Sequence, residues 1–179
     1  IIITHNDEVI ASATTIYGVS MHDGISKIVS LRVWNEQSTA SKIFEKILDF
    51  NPDDNQGVRS LVIQSYLAQG KFKKILDICE IYPGDILPDT LYGAVLANYR
   101  LDRMEEAQKA LKMAIQYSPN VAKELLKKKH KRVVSELPGS VTLGGEDEAY
   151  DYWEQVGHFW TDPKLLNFIK DGYKKWGTK

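Results

Sequence analysis

Three segments of the sequence share one pattern, an apolar run at helical spacing that is closed by a proline. They are residues 44–52 (FEKILDFNP), 75–83 (ILDICEIYP) and 107–119 (AQKALKMAIQYSP). Apolar residues at i, i+3, i+4 and i+7 predict an amphipathic helix, and the proline predicts its end. A second amphipathic stretch and a short polar turn precede each segment. The repeating unit is therefore predicted to be a helix, a tight turn and a second helix, and this unit recurs at intervals of 35 and 32 residues when Ala40, Ile75 and Ala107 are taken as equivalent.

This unit resembles the tetratricopeptide repeat. That family has a small residue, a bulky apolar residue, a second small residue and a proline at fixed positions. In the third unit these positions hold Ala107, Leu111, Ala114 and Pro119. The first unit matches through Ala40, Phe44 and Pro52, and the second through Tyr66, Gly70 and Phe72. The second unit departs from the family pattern at its second helix, where Ile75 replaces a small residue and Pro83 arrives early. The resemblance implies an all-α fold, a right-handed α-α superhelix of three repeats at 21–54, 55–87 and 88–121.

Three further stretches, NPDDNQG (51–57), LYGAVLANYRL (91–101) and GGEDEAYDYW (144–153), look like a group of bacterial tetratricopeptide-repeat proteins without an assigned activity. Residues 1–20 fall outside the resemblance. Their β-branched content slightly favours a strand over the second helix of a truncated repeat, although a lone strand has no obvious partner.

The pattern changes after residue 121, and we predict that residues 122–179 form a C-terminal helical cap. Asp162-Pro163 is a helix-start signal, with Asp as N-cap and Pro as the first helical residue. Eight of the 18 aromatic residues lie in 150–179, which indicates a packed segment and not a solvated tail. A helical array needs such a terminal unit to cover its last apolar face.

The sequence carries no motif for catalysis, metal binding or a cofactor. Its four histidines are scattered, and its single cysteine, Cys79, lies on an apolar helix face, where a buried thiol is expected. The acidic run 146–148 is interpreted as a first helical turn that matches the helix dipole. An enzyme built around Glu148, Asp151 and His158 is a third hypothesis, supported by local acidity alone.

Two sets of residues are candidates for partner binding. In the superhelix, first helices line the concave groove, and the predicted groove residues are Arg32, Gln64, Tyr92, Leu96, Tyr99 and Arg100. In the alternative arrangement, Tyr92, Leu96 and Tyr99 pack against the cap and fill the groove. The second set is the basic run Lys127, Lys128, Lys129, Lys131 and Arg132, which suits phosphates or an acidic partner but is also typical of a cationic helix end and a solvated loop.

These observations predict a non-catalytic scaffold or adaptor that binds a protein or peptide segment without a cofactor. The alternative is an RNA-associated protein that uses the basic run, although the net charge of −1 gives no overall excess of positive charge for such a partner. No apolar run is long enough to span a membrane, and we expect a cytoplasmic protein.

Overall fold

The computed structural model describes residues 15–22, 25–32, 37–133 and 141–177, with side-chain environments from residue 40 onward. Within these ranges the chain forms two strands, eight α-helices and one short 3-10 helix. The expectation of an α-helical, repeat-like fold is confirmed for residues 37–133 and 141–176. The chain divides into two compact units, residues 1–69 and 70–179.

The first unit contains a β-hairpin where the first helix of repeat one was predicted. Strand β1 (Thr15–His22) pairs antiparallel with β2 (Ile25–Arg32), and Thr15 lies opposite Arg32 in the register. The first helix of the repeat predicted at 21–54 is therefore wrong: the apolar residues Ile25, Ile28 and Leu31 lie on a strand. A short apolar run is compatible with the periodicity of a helix and with that of a strand. The β-branched residues in both segments favour strands once each strand has a partner to pair with.

The rest of the first unit is a pair of packed helices, α1 (Gln37–Phe50) and α2 (Val58–Ala68). Val62 and Ile63 are fully buried, and Tyr66 donates a hydrogen bond of 2.6 Å to Glu45 Oε1. The connection between the helices is organised by buried Asp54, whose carboxylate accepts from the backbone N–H groups of Val58 and Arg59 at 2.7 and 3.0 Å. Asp54 thus satisfies two donors at the start of α2 that have no partner within the helix.

The second unit is built from six helices. They are α3 (Phe72–Ile81), α4 (Pro88–Arg100), α5 (Met104–Tyr117), α6 (Pro119–Leu125), α7 (Glu146–Val156) and α8 (Pro163–Trp176), with a 3-10 turn at Gly157–Phe159. Helix α4 packs on α3 and α5, while α8 packs on α5 and α7 packs on α6. Ala107 and Ala114, the small residues of the third predicted unit, are completely buried. Asp102, in the short polar turn predicted before the third segment, has a left-handed φ of 57° where the chain reverses between α4 and α5.

The C-terminal helices begin where their capping signals predict. Asp162 Oδ1 accepts a hydrogen bond of 2.9 Å from the N–H of Lys164, and Pro163 opens α8. Gly172 allows α8 to approach α5 closely, because a Cβ atom at this position would lie 2.5 Å from Leu111 Cδ2. Beside this contact the two helices leave a shallow cleft of about 130 Å³, lined in part by Gln108, Phe168 and Trp176.

Candidate binding surfaces

The inner face of α4 is covered by the C-terminal helices. Tyr92 and Leu96 are 0% and 1% exposed. The Tyr92 ring lies 5.9 Å from that of Tyr152 on α7 and 6.1 Å from that of Trp160, which follows the 3-10 turn. Of the two arrangements that the sequence left open, the structure has the one in which the cap fills the groove. Tyr92 and Leu96 present no surface to a partner.

The Tyr92 hydroxyl has a structural role at the start of α6. It donates a hydrogen bond of 2.8 Å to the Ser118 carbonyl and accepts one of 3.1 Å from the N–H of Ala122. Burial raises the pKa of this hydroxyl, so it stays protonated and able to donate. Tyr92 therefore ties α4 to the α5–α6 junction.

Tyr99 and Arg100, at the end of α4, also meet the cap but keep part of their surface. Tyr99 packs on Phe168 of α8 with ring centroids 5.4 Å apart. Arg100 Nη1 lies 3.7 Å from Asp162 Oδ2, and both side chains are about one third exposed. An ion pair with this exposure contributes little to stability.

The other two predicted groove residues belong to the first unit. Gln64 is half-buried on α2, and Arg32 ends strand β2, so it does not lie on a first repeat helix as predicted.

The basic run follows α6 and is attached to the fold by the buried carboxylate of Glu124. Lys127 Nζ lies 2.5 Å from Glu124 Oε2, and His130 Nδ1 lies 2.8 Å from Glu124 Oε1. The His130 ring stacks on the indole of Trp153 at 3.6 Å between centroids and 8° between planes. We call these four residues, Glu124, Lys127, His130 and Trp153, the loop clamp.

Outside the loop clamp, the remaining cations of the run are exposed. They are Lys128, Lys129, Lys131 and Arg132. Arg132 is close enough to Asp151 to oppose the rise in the Asp151 pKa that burial causes. Three lysines and a partly neutralised arginine therefore form a positively charged surface on a loop whose path is held by the clamp.

The acidic first turn of α7 binds its own preceding loop. Asp147 Oδ2 accepts from the N–H of Thr142 and Glu148 Oε2 from that of Gly144, both at 2.8 Å. The bond from Thr142 lowers the pKa of Asp147, while burial raises that of Glu148. His158 is exposed and contacts Phe159 at 3.9 Å between ring centroids. The carboxylates are thus occupied by backbone amides, which supports the interpretation of this run as a helix start.

The thiol of Cys79 is shielded on α3, as the sequence indicates. Its Sγ lies 3.6 Å from the Thr90 carbonyl, and burial raises its pKa to about 12. In the part of the chain that the structure describes, no group of three or more His, Cys, Asp and Glu side chains is arranged to hold a metal ion.

The raised pKa predicts a slow reaction of Cys79 with iodoacetamide. A pH of 8 is far below the Cys79 pKa of about 12. At this pH the fraction of Cys79 present as thiolate is therefore roughly a thousandfold smaller than that of an ordinary cysteine. We expect alkylation of the folded chain to be slower by roughly this factor than alkylation of the same chain unfolded in guanidinium chloride. Mass spectrometry of this single cysteine measures both rates. Similar rates would contradict the burial of the thiol.

An exposed apolar surface that the sequence analysis missed lies where α5 ends. Met113 and Tyr117, one turn apart on α5, are 48% and 56% exposed, and Leu143 is 68% exposed. Asn120 Nδ2 donates a hydrogen bond of 2.8 Å to the Gly144 carbonyl, which holds the loop carrying Leu143 beside the last turn of α5. The helical periodicity places Met113 and Tyr117 on one flank, but only the folded chain brings the loop that contains Leu143 beside the end of α5, where a Cβ atom on Gly144 would lie 3.7 Å from the Tyr117 carbonyl oxygen.

The comparisons with known proteins identify a family. A family model described as the transcriptional repressor TCF25 (Tcf25) matches residues 26–178. No curated protein and no solved structure matches the sequence. Among the described residues, none of the helices combines the length and the apolar character needed to cross a bilayer.

The family match corrects the tetratricopeptide assignment and the likeness to bacterial proteins of that type. A model of a different family accounts for residues 26–178, and its match begins within β2, where the tetratricopeptide pattern requires a helix. Alternating amphipathic helices with small residues at their crossings satisfy the packing rules of many helical arrays. That pattern predicted the helices from residue 37 onward, but it failed at residues 25–32 and did not identify the family.

Proposed function

The chain belongs to the Tcf25 family, and from this premise and its exposed surfaces we propose that it is a non-catalytic binding module of a transcription-related regulator. Its proposed partner is a protein segment. The observation that carries this proposal is the exposure of three large apolar side chains, Met113 and Tyr117 at the end of α5 and Leu143 on the loop beside it, since exposed aromatic and methionine side chains are typical of protein contacts. The buried groove residues are assigned to the fold instead. A regulator of transcription acts in the nucleus. The proposal therefore gives the protein a nuclear location and not the cytoplasmic one expected from the sequence.

We expect the double change Met113→Ser and Tyr117→Ser to abolish capture of the proteins that the unaltered chain retains from a nuclear extract. Both side chains are about half exposed, so folding should be nearly unaffected. Affinity capture with identification by mass spectrometry measures the effect.

Met104→Ser is the matched control. Met104 is 42% exposed at the other end of α5, and its loss should leave capture unchanged. If the double variant retains the same proteins in the same amounts as the unaltered chain, the apolar surface is not the binding site.

A second candidate function is contact with nucleic acid through the basic run. It is favoured by the exposure of Lys128, Lys129, Lys131 and Arg132 on a loop held by the loop clamp. Lysine and arginine side chains displace counterions from phosphates, so such binding weakens steeply with salt. An RNA or DNA contact of this kind suits the family description, and the experiment below tests it.

A further inference from the structure

We propose that Glu124 is the positioning residue of a phosphate-binding loop, although it is itself an anion. The proposal rests on the second candidate function. It adds that the loop clamp, and not the charge of the run alone, lets Lys128, Lys129, Lys131 and Arg132 contact the phosphate backbone of a nucleic acid.

The clamp restrains both the start and the middle of the run. Glu124 lies on α6, and its side chain is 2% exposed. One oxygen of its carboxylate binds Lys127 and the other binds His130, so two points of the loop are joined to one rigid group. The stacking of His130 on Trp153 then ties the same loop to α7. Two helices therefore determine the course of residues 127–130.

The cations next to the clamp are exposed. Lys127 is bound to Glu124 with its side chain 42% exposed, and Lys128, Lys129 and Lys131 are exposed as well. Ordering a loop and its long side chains on binding costs free energy, and a loop held in place in advance lowers that cost. The arrangement suits a chain of phosphates, whose charges are regularly spaced.

The positioning role and simple electrostatics predict opposite effects for Glu124→Gln. If only net charge mattered, removal of an anion beside the phosphates would strengthen binding. If the clamp positions the loop, the change releases Lys127 and His130 and weakens binding despite the more favourable net charge. The sign of the change in affinity therefore separates the two explanations.

The experiment measures binding of the purified chain to a fluorescein-labelled single-stranded RNA of about 20 nucleotides, by fluorescence anisotropy between about 50 and 200 mM salt. The same sequence as duplex DNA is the second probe, and the preferred probe shows which backbone the loop fits. With three or four phosphate contacts, we expect a slope of log K against log salt of about −2 to −3 for the single strand.

We expect Glu124→Gln to weaken binding about threefold to tenfold, which is the cost of ordering a loop side chain on binding. Glu154→Gln is the matched control, because Glu154 is an exposed carboxylate on α7 outside the loop clamp. It removes the same charge and should leave affinity unchanged or slightly higher.

A trypsin digest tests the structural cause separately. In folded Glu124→Gln, cleavage after residues 127–132 should become faster while the helices remain intact. Trp153→Leu covers the case in which Glu124→Gln does not fold, since Trp153 is partly exposed and its loss changes no charge. It should weaken binding by a similar factor.

The outcomes distinguish the two proposals. The fourfold variant Lys128→Gln, Lys129→Gln, Lys131→Gln and Arg132→Gln tests the nucleic-acid function itself. If it binds either probe as tightly as the unaltered chain, the nucleic-acid function fails, and the positioning role fails with it. If that variant loses binding while folded Glu124→Gln or Trp153→Leu binds at least as tightly as the unaltered chain, only the positioning role of the clamp is overturned.

Discussion

Tyr92→Ala is expected to lower the free energy of unfolding of the second unit by about 3–5 kcal/mol, the usual cost of truncating a fully buried aromatic side chain. The ring is completely buried against Tyr152 and Trp160, so its removal leaves a cavity between α4 and the cap helices. The Ala122 N–H also loses its acceptor. Urea denaturation followed by circular dichroism measures the change.

Two further variants separate the contributions to this effect. Tyr92→Phe keeps the ring but removes the hydroxyl that serves Ser118 and Ala122, and it should cost about 1–3 kcal/mol. Tyr117→Ala removes a tyrosine that is 56% exposed and should change stability by less than about 0.5 kcal/mol. A Tyr92→Ala variant as stable as Tyr117→Ala would mean that the cap does not cover α4 in solution.

Asp54→Ala is expected to destabilise the first unit by about 2–4 kcal/mol, since it removes a helix cap and, with it, the ion pair between Asp54 and the partly buried Arg59. Beyond its bonds to the N–H groups of Val58 and Arg59, Asp54 accepts one of 2.8 Å from Arg59 Nη1. Its φ of 45° adds to the cost, because alanine tolerates the left-handed region less well than aspartate. Thermal unfolding with urea titration measures this effect.

Asp53→Ala is the control for Asp54. Asp53 is its exposed neighbour, and a change there should stay within about 0.5 kcal/mol. Equal effects of the two substitutions would show that the general negative charge of the turn is what matters, and would contradict the specific capping role of Asp54.

Local signals in the sequence predicted the helices well. The Asp162-Pro163 start, the turn at residue 102 and the burial of Ala107 and Ala114 all agree with the structure. Each depends on interactions between residues a few positions apart, such as a cap or the spacing of apolar side chains. Such interactions can be read without knowledge of distant parts of the chain.

The hairpin shows a signal that was present and was missed. Asp23-Gly24, between β1 and β2, is a typical two-residue hairpin sequence flanked by β-branched segments. The repeat pattern directed the interpretation of residues 25–31 toward a helix. Strand β2 is stable only when it is paired with β1. Most of β1 precedes residue 21, where the first predicted repeat began.

The binding surfaces depended on contacts between distant residues. From the amino-acid sequence alone, Tyr92 is expected to face inward and residues 127–132 to form a block of positive charge. The contacts of Tyr92 with Tyr152 and Trp160, and those by which Glu124 and Trp153 hold the basic loop, are visible only in the folded chain. Periodicity states which side of a helix is apolar, whereas the partner of that side is chosen by packing among all the helices at once.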